Sequence, residues 1–230
     1  MYRYEMHCHS SVGSLCAVWT PEELVRAFYK AGYAGLVLTE HFVHGNTAVP
    51  REWPWEKRMR RYYEGYERAC AEAWPLDFDV LFGIEHAYGD GKEVLTYGID
   101  LTFLLENPDL GEISLAEYAA RVHAYGGLVV QAHPFRERDY IRPGVPLYPE
   151  LLDGVEIYND HNLPEENVRA EAFARQHKLI RISGSDAHGY DEIGHAAMAF
   201  SHRIRTNEEL VAALRAGEGT LITGSQPELA

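Results

Sequence analysis

Five short apolar runs in this chain each end on an imidazole or a carboxylate, and that repetition limits the fold more than any other feature. The first run, Tyr2 to Met6, leads into His7-Cys8-His9. Side chains at i and i+2 of an extended backbone project to the same side, so both rings address one point in space. The situation recurs at Thr39-Glu40-His41, Gly83-Ile84-Glu85, Ala132-His133-Pro134 and Gly184-Ser185-Asp186-Ala187-His188. A lone His-x-His near a terminus is most often a surface pair. Five such ends call for a fold that gathers them.

Amphipathic segments separate the runs. Thr20-Pro21-Glu22-Glu23 combines an N-cap, a proline at the first helical position and a capping-box glutamate; Ser114 with Glu117 and Thr206 with Glu209 repeat the box. Helices are expected from Thr20 to about Ala31, Glu56 to Ala73, Ser114 to about Tyr125, Pro164 to about His177, and from Thr206 onward. Asp90-Gly91 marks a hairpin-like turn into Val94 to Ile99. Wholly apolar strands alternating with helices predict a parallel sheet, most simply an α/β barrel whose strand ends share one rim. An open doubly wound sheet is the alternative, but it would spread those ends along a line. The irregular stretch from Phe42 to Trp55 is placed to act as a lid.

The 230 residues fit one domain, 1–230, with no linker, repeat or low-complexity tract. Apolar runs of roughly five residues fall far short of the ~20 that span a bilayer, so no membrane segment is expected. A motif beginning at residue 7 leaves no room for a signal peptide, and the expected compartment is cytoplasmic. Cys8, Cys16 and Cys70 match neither a disulfide framework nor a zinc finger. The net charge of −14 argues against long nucleic acid. A small anion is compatible with it, because divalent cations reverse the potential inside one pocket.

The constellation is His7, His9, His41, Glu85, His133, Asp186 and His188, a donor set suited to zinc, manganese or iron. Seven donors exceed one ion, which implies two or three divalent ions with Glu85 and Asp186 as bridges. Phosphoester hydrolysis by a metal-activated water is the matching reaction, and attack on an amide or amidine carbon is its rival.

Those motifs, in the order His-x-His, Thr-[Asp/Glu]-His, Gly-x-Glu, His-Pro and Gly-Ser-Asp-x-His, resemble the PHP (polymerase and histidinol phosphatase) family over nearly the whole chain. The resemblance implies a distorted seven-stranded β/α, TIM-like barrel with a trinuclear metal site and phosphoesterase activity. By motif, His7, His9, Glu85 and Asp186 resemble its first site, Glu85 and His133 its second, and His41 and His188 its third. Asp186, Glu85 and His188 are expected to carry catalysis. The family does not fix the substrate, since it includes histidinol phosphatases, small nucleotide phosphatases and nucleases. Three positions depart from the pattern: Glu40 replaces the usual Asp, Cys16 stands where an Asp or His is more usual, and Leu95 stands where many members have a second-site His. Leu95 makes the second ion the weakest, leaving two strongly bound. Cys16 is expected as a thiolate ligand near His41 and His188, against the plainer reading of a small space-filling residue.

Arg136 is a candidate to grip a phosphate oxygen in bidentate fashion, and Asn159 a candidate substrate-binding residue; a paired loop arginine and polar rim residues (Asn159, His161) are the plainer readings. His44, His86, His123, His177, His195 and His202 lack strand-end positions and read as surface or core histidines. Tyr62, Tyr63 and Tyr66 read as packing. Trp53 and Trp55 either cover a substrate or anchor their own loop. The expected partner is a small phosphorylated substrate, with no long nucleic acid, membrane or obligate protein partner. Two functions stay open beside it: a degenerate binding module without turnover, and a nuclease acting on short oligonucleotide ends.

Overall fold

The computed structural model describes residues 1–189 and 192–224. Strand β1 (Tyr2–Cys8) is followed by helix α1 (Pro21–Lys30) and strand β2 (Gly35–Phe42). The capping box that opens α1 is reciprocal: Glu23 N donates to Thr20 Oγ1 (3.2 Å) and Thr20 N to Glu23 Oε2 (2.9 Å). Leu24, Val25 and Phe28 of α1 then pack on Leu36 and Leu38 of β2. Helix α2 (Trp55–Ala73) leads to strand β3 (Asp79–Gly89), and a turn with positive φ at Asp90 and Gly91 reverses the chain into β4 (Lys92–Tyr97).

A short helix α3 (Leu101–Glu106) precedes α4 (Leu115–Tyr125), then β5 (Leu128–Gln131), β6 (Gly154–Asn159), α5 (Pro164–His177) and β7 (Ile180–Gly184). The chain ends in β8 (Ala196–Phe200), α6 (Asn207–Ala216) and β9 (Thr220–Thr223). Ser114 and Thr206 cap α4 and α6 by accepting from Glu117 N and Glu209 N. Their boxes are only half made, because Glu117 is drawn to Arg121 and Glu209 accepts from Arg205 N.

All strands belong to one nine-stranded sheet in the order β7-β6-β5-β4-β3-β2-β1-β8-β9. It curls until β1 also meets the end of β7, through a parallel bridge between Cys8 and Ala187, where His9 N donates to Ala187 O (2.9 Å). The Tyr97 hydroxyl of β4 donates across the enclosed interior to the Met6 carbonyl of β1 (2.8 Å).

The result is an α/β fold with a nearly closed, barrel-like sheet, and the expectation of a seven-stranded TIM-like barrel is corrected in two respects. The described residues form nine strands, and β4, β8 and β9 run antiparallel to their neighbours. The Asp90-Gly91 hairpin is the cause at β4. At β8 the Ala-rich run Ala196–Phe200 carries neither alternation nor β-branched residues to announce a strand.

The Phe42 to Trp55 stretch is tied down rather than poised as a lid. Leu15 N donates to Asn46 O and Ala48 N to Gly13 O, and the Thr47 hydroxyl meets Tyr62 Oη at 2.6 Å. Tyr62, Tyr63 and Tyr66 pack with Phe42 and Phe82. Trp55 anchors its own segment through Nε1 to Leu104 O (2.6 Å). No helix among the described residues is long and apolar enough to cross a membrane.

Candidate metal centre

The ends of β1, β2, β3, β5 and β7 open on one buried polar cluster. His7 and His9, on the same side of β1 as it ends, are both fully buried. Each ring is steered through Nδ1: His7 Nδ1 lies 2.9 Å from Glu156 Oε1, and His9 Nδ1 3.1 Å from Ser14 Oγ. Their Nε2 atoms meet at Asp186 Oδ1, at 3.3 and 3.2 Å. His188 Nδ1 sits 2.6 Å from the Asp186 carbonyl, and its ring stacks on His9 with centroids 4.3 Å apart.

Glu85 is the hub on the other side. Its Oε1 is 3.2 Å from His7 Nε2 and 2.9 Å from His133 Nε2, and its Oε2 is 2.6 Å from His41 Nδ1. His133 and Asp186 both hold a positive φ, 24° and 58°, at the points where the chain leaves β5 and β7. Burial alone would raise the Glu85 and Asp186 carboxyls. His7 and His41 around Glu85, and His7 and Arg136 around Asp186, outweigh it and hold both well below the usual carboxylate range. Burial, with His188 and His41 nearby, holds His9 well below the ordinary imidazole value, which leaves it a neutral donor.

Three buried atoms in this cluster, His7 Nε2, His41 Nδ1 and Glu85 Oε2, have no hydrogen-bond partner among the described residues. His41 Nδ1 and Glu85 Oε2 are 2.6 Å apart, yet not in the alignment of a hydrogen bond. Left bare, such groups carry a desolvation cost of about 1–3 kcal/mol each. One atom from each of His9, His41 and His188 falls within 4.8 Å of the others, and so do the sets His7-His9-Glu85, His7-His133-Asp186 and His41-Glu85-Glu93. Imidazole nitrogens mixed with carboxylate oxygens fit divalent zinc, manganese or iron. His41, His133, Asp186 and His188 line a cleft of about 650 Å³, whose walls also include His86, Tyr88, Ile113 and Tyr140.

Comparison with known proteins bears on this geometry. Residues 164–218, which carry Asp186 and His188, match the family model described as PHP-associated. The fold is similar to that of a two-domain protein from Bacteroides vulgatus containing a predicted PHP-like metal-dependent phosphoesterase, with a TM-score of 0.71 at 16% identity. That likeness covers 97% of this chain and 65% of the other, so the chain spans about two thirds of that protein's length. The fold is PHP-like. A candidate metal-dependent phosphoesterase from Bifidobacterium adolescentis has a similar fold at a TM-score of 0.58 and 18% identity, over 93% of this chain and 96% of the other. So does an amidohydrolase from Chromobacterium violaceum, solved with bound sulfate and no metal, at 0.63 and 17%, over 92% and 96%. No curated protein matches the chain in sequence.

The positions that depart from the PHP pattern have distinct fates. Glu40 is buried behind the cluster, accepting from the Ser10 and Ser14 hydroxyls, and so braces the loop after β1. Cys16 is exposed at the cleft mouth beside His188 and His41. Burial tends to raise its thiol, but those two imidazoles prevail and bring it down to about 6. Leu95 is fully buried in the core, as a residue without donor atoms must be.

Two residues before Leu95 and on the same face of β4, however, stands Glu93. Its carboxylate lies 3.6 Å from His41 Nδ1 and 3.5 Å from His133 Nε2, and burial together with Glu85 pushes it up to about 8. Glu93 thus places a carboxylate beside His41 and His133, next to the position where Leu95 offers no donor.

Arg136, which lines the cleft, and Asn159, which does not, both reach Asp186. Arg136 Nη2 donates to Asp186 Oδ2 (2.8 Å) and Asn159 Oδ1 (2.7 Å), and its Nε to Asn162 Oδ1 (2.9 Å). The bidentate grip on phosphate expected of Arg136 is closed by those bonds, although Nη1 makes no hydrogen bond among the described residues. Asn159 has both ends committed, its Nδ2 donating to Glu156 Oε2 (2.9 Å), so it orients neighbours and does not face the cleft.

Arg138 is taken up by Glu166 and Arg142 pairs with Asp90. Of the histidines set aside from the site, His86 stacks on Tyr118 in the core, yet it also lines the cleft. His161, expected as a polar rim residue, forms a group with His188 and Glu192, of which strand-end reasoning did not include Glu192. Glu5 was equally silent in the sequence. It is fully buried and accepts from His7 N and from both Ser185 N and its hydroxyl, fastening β1 to the Asp186 loop.

Proposed function

We propose that the chain is a metal-dependent hydrolase acting on a small phosphoester, a phosphate monoester or nucleotide phosphate. The observation that carries the reading is the set of three bare, buried atoms on His7, His41 and Glu85, set among further imidazoles and carboxylates of which His41, Glu93, His133, Asp186 and His188 line an open cleft. His7, His9, Glu85 and Asp186 are the residues to hold one ion, His133, Glu85 and Glu93 a second, and His41 and His188, with Cys16 beside them, a third. Divalent ions in such a site polarise a phosphoryl oxygen and lower the pKa of bound water to about 7.

The protein's own residues do the rest. Arg136 holds Oδ2 of Asp186, which leaves Oδ1 turned to His7 and His9. Ser14, Glu156 and the Asp186 carbonyl fix the rings of His9, His7 and His188 by their Nδ1 atoms. Arg136 lines the cleft with Nη1 still open for one phosphate oxygen. A 650 Å³ cleft suits a small ligand, and the charge of −14 disfavours long polyanions.

The test is phosphate release from a panel of small phosphoesters and nucleotides, with manganese, zinc or iron supplied to chelator-stripped protein. Turnover of at least one monoester, dependent on metal, is expected. Hydrolysis of amides in place of every phosphoester would instead favour the chemistry for which the Chromobacterium violaceum neighbour is described.

A further inference from the structure

We infer that Glu156 is a positioning residue that fixes the tautomer of His7, and thereby decides which nitrogen His7 presents to a metal ion. The inference rests on the metal reading above.

Glu156 lies in the middle of β6, fully buried, and its side chain is surrounded by donors. His133 N donates to Oε2 at 2.9 Å and Asn159 Nδ2 donates to the same oxygen at 2.9 Å. His7 Nδ1 stands 2.9 Å from the other oxygen, Oε1. A backbone N–H and an amide N–H can only donate, so the carboxylate is held as an acceptor on that side. The remaining partner completes the set when His7 carries its proton on Nδ1. Nε2 then bears the lone pair, and Nε2 is the His7 atom that has no hydrogen-bond partner and faces Glu85 and Asp186.

A second feature supports the same assignment. Gly184 ends β7 against this pair, and a Cβ there would fall 2.8 Å from Glu156 Oε1 and 2.7 Å from His7 Cβ. The missing side chain is what lets the carboxylate reach His7. Through its other oxygen, the carboxylate also tethers His133 at the positive φ where its ring meets Glu85. One buried acid thus aims two imidazoles that arrive from different strands. A carboxylate behind a ligating imidazole is a general means of fixing ring orientation, and its loss weakens metal binding by about 10–100-fold.

Two measurements test this. The first needs no variant: long-range proton–nitrogen spectra of zinc-loaded wild-type protein should show His7 protonated at Nδ1, and a His7 protonated at Nε2 would overturn the proposal. The second compares zinc binding to chelator-stripped wild type and Glu156→Gln by calorimetry and elemental analysis, with circular dichroism confirming the fold. Gln puts an amide N–H among donors, so the affinity of one ion should fall about 10–100-fold and the Nδ1 proton of His7 should lose its protected signal. Equal affinity with an unchanged His7 spectrum overturns the role of Glu156 alone. Wild-type protein that takes up no divalent ion overturns the metal reading and this inference together.

Discussion

Strand β1 runs between two buried polar networks, and they differ in completeness. At its start, the Tyr4 hydroxyl donates to Asp79 Oδ2 (2.7 Å) and accepts from Ile204 N (2.8 Å), while Arg203 donates to Asp79 through Nε (2.8 Å) and to Asp77 through Nη1 (2.5 Å). No buried side-chain atom of Tyr4, Asp79 or Arg203 lacks a partner among the described residues. At its end, three such atoms on His7, His41 and Glu85 do. Both networks join distant parts of the chain, but the first closes on itself and the second does not. Closure makes a brace; openness at a cleft makes a site.

The contrast is broken most directly by one substitution at each end. Asp186→Asn should remove activity by about 10³-fold while the protein stays folded. Asp79→Ala should cost about 3 kcal/mol in urea denaturation, by stripping a buried pair of its acceptor, yet leave kcat of the folded fraction intact. A kcat for Asp79→Ala as low as that of Asp186→Asn would erase the distinction.

Metal removal sharpens it. Ions present at 100 times their Kd contribute about 2.7 kcal/mol, so chelation should lower Tm and readdition restore it. The increment should be the same in Asp79→Ala, because distant sites add independently.

Glu93→Gln should weaken one ion tenfold or more in calorimetric titration, as loss of a donor in the position that Leu95 cannot serve. Unchanged stoichiometry and affinity would return the site to the weaker second ion implied by Leu95.

Cys16 gives a pH signature. Its folded pKa lies near 6, below the ordinary thiol value, so the thiolate persists at neutral pH and is lost as pH falls through about 6. Alkylation of chelator-stripped protein should be half-maximal there, whereas buried Cys8, pushed well up by burial, stays unreactive. A midpoint near the ordinary thiol value would separate Cys16 from His41 and His188. The smallest effect belongs to a feature of neither network: Thr20→Ala, removing the α1 cap, should cost about 1 kcal/mol and leave metal binding untouched.

What could be read beforehand follows from strand direction. His7, His9, His41, His133, Asp186 and His188 sit at or just past the end of a strand of one orientation, and Glu85 follows the apolar run inside the longer β3, so a polar residue after an apolar run was enough to single them out. Glu93 escaped because β4 is antiparallel and reaches the rim with its first residues, not its last. Glu5 and Glu156 escaped for another reason. They lie inside β1 and β6, where an acid between apolar neighbours looks like an outward-facing residue of an alternating strand. Only the curl of the sheet turns them inward. The same limit hid β8, whose alanines carry no period at all.

The positive φ angles of His133 and Asp186 have a consequence for how such a chain changes under selection. Each conformation costs about 1–3 kcal/mol for a residue with a side chain, and glycine adopts it freely. Glycine at either position would relieve that strain but remove an imidazole or a carboxylate from the buried cluster, so stability and the cluster pull these two positions in opposite directions.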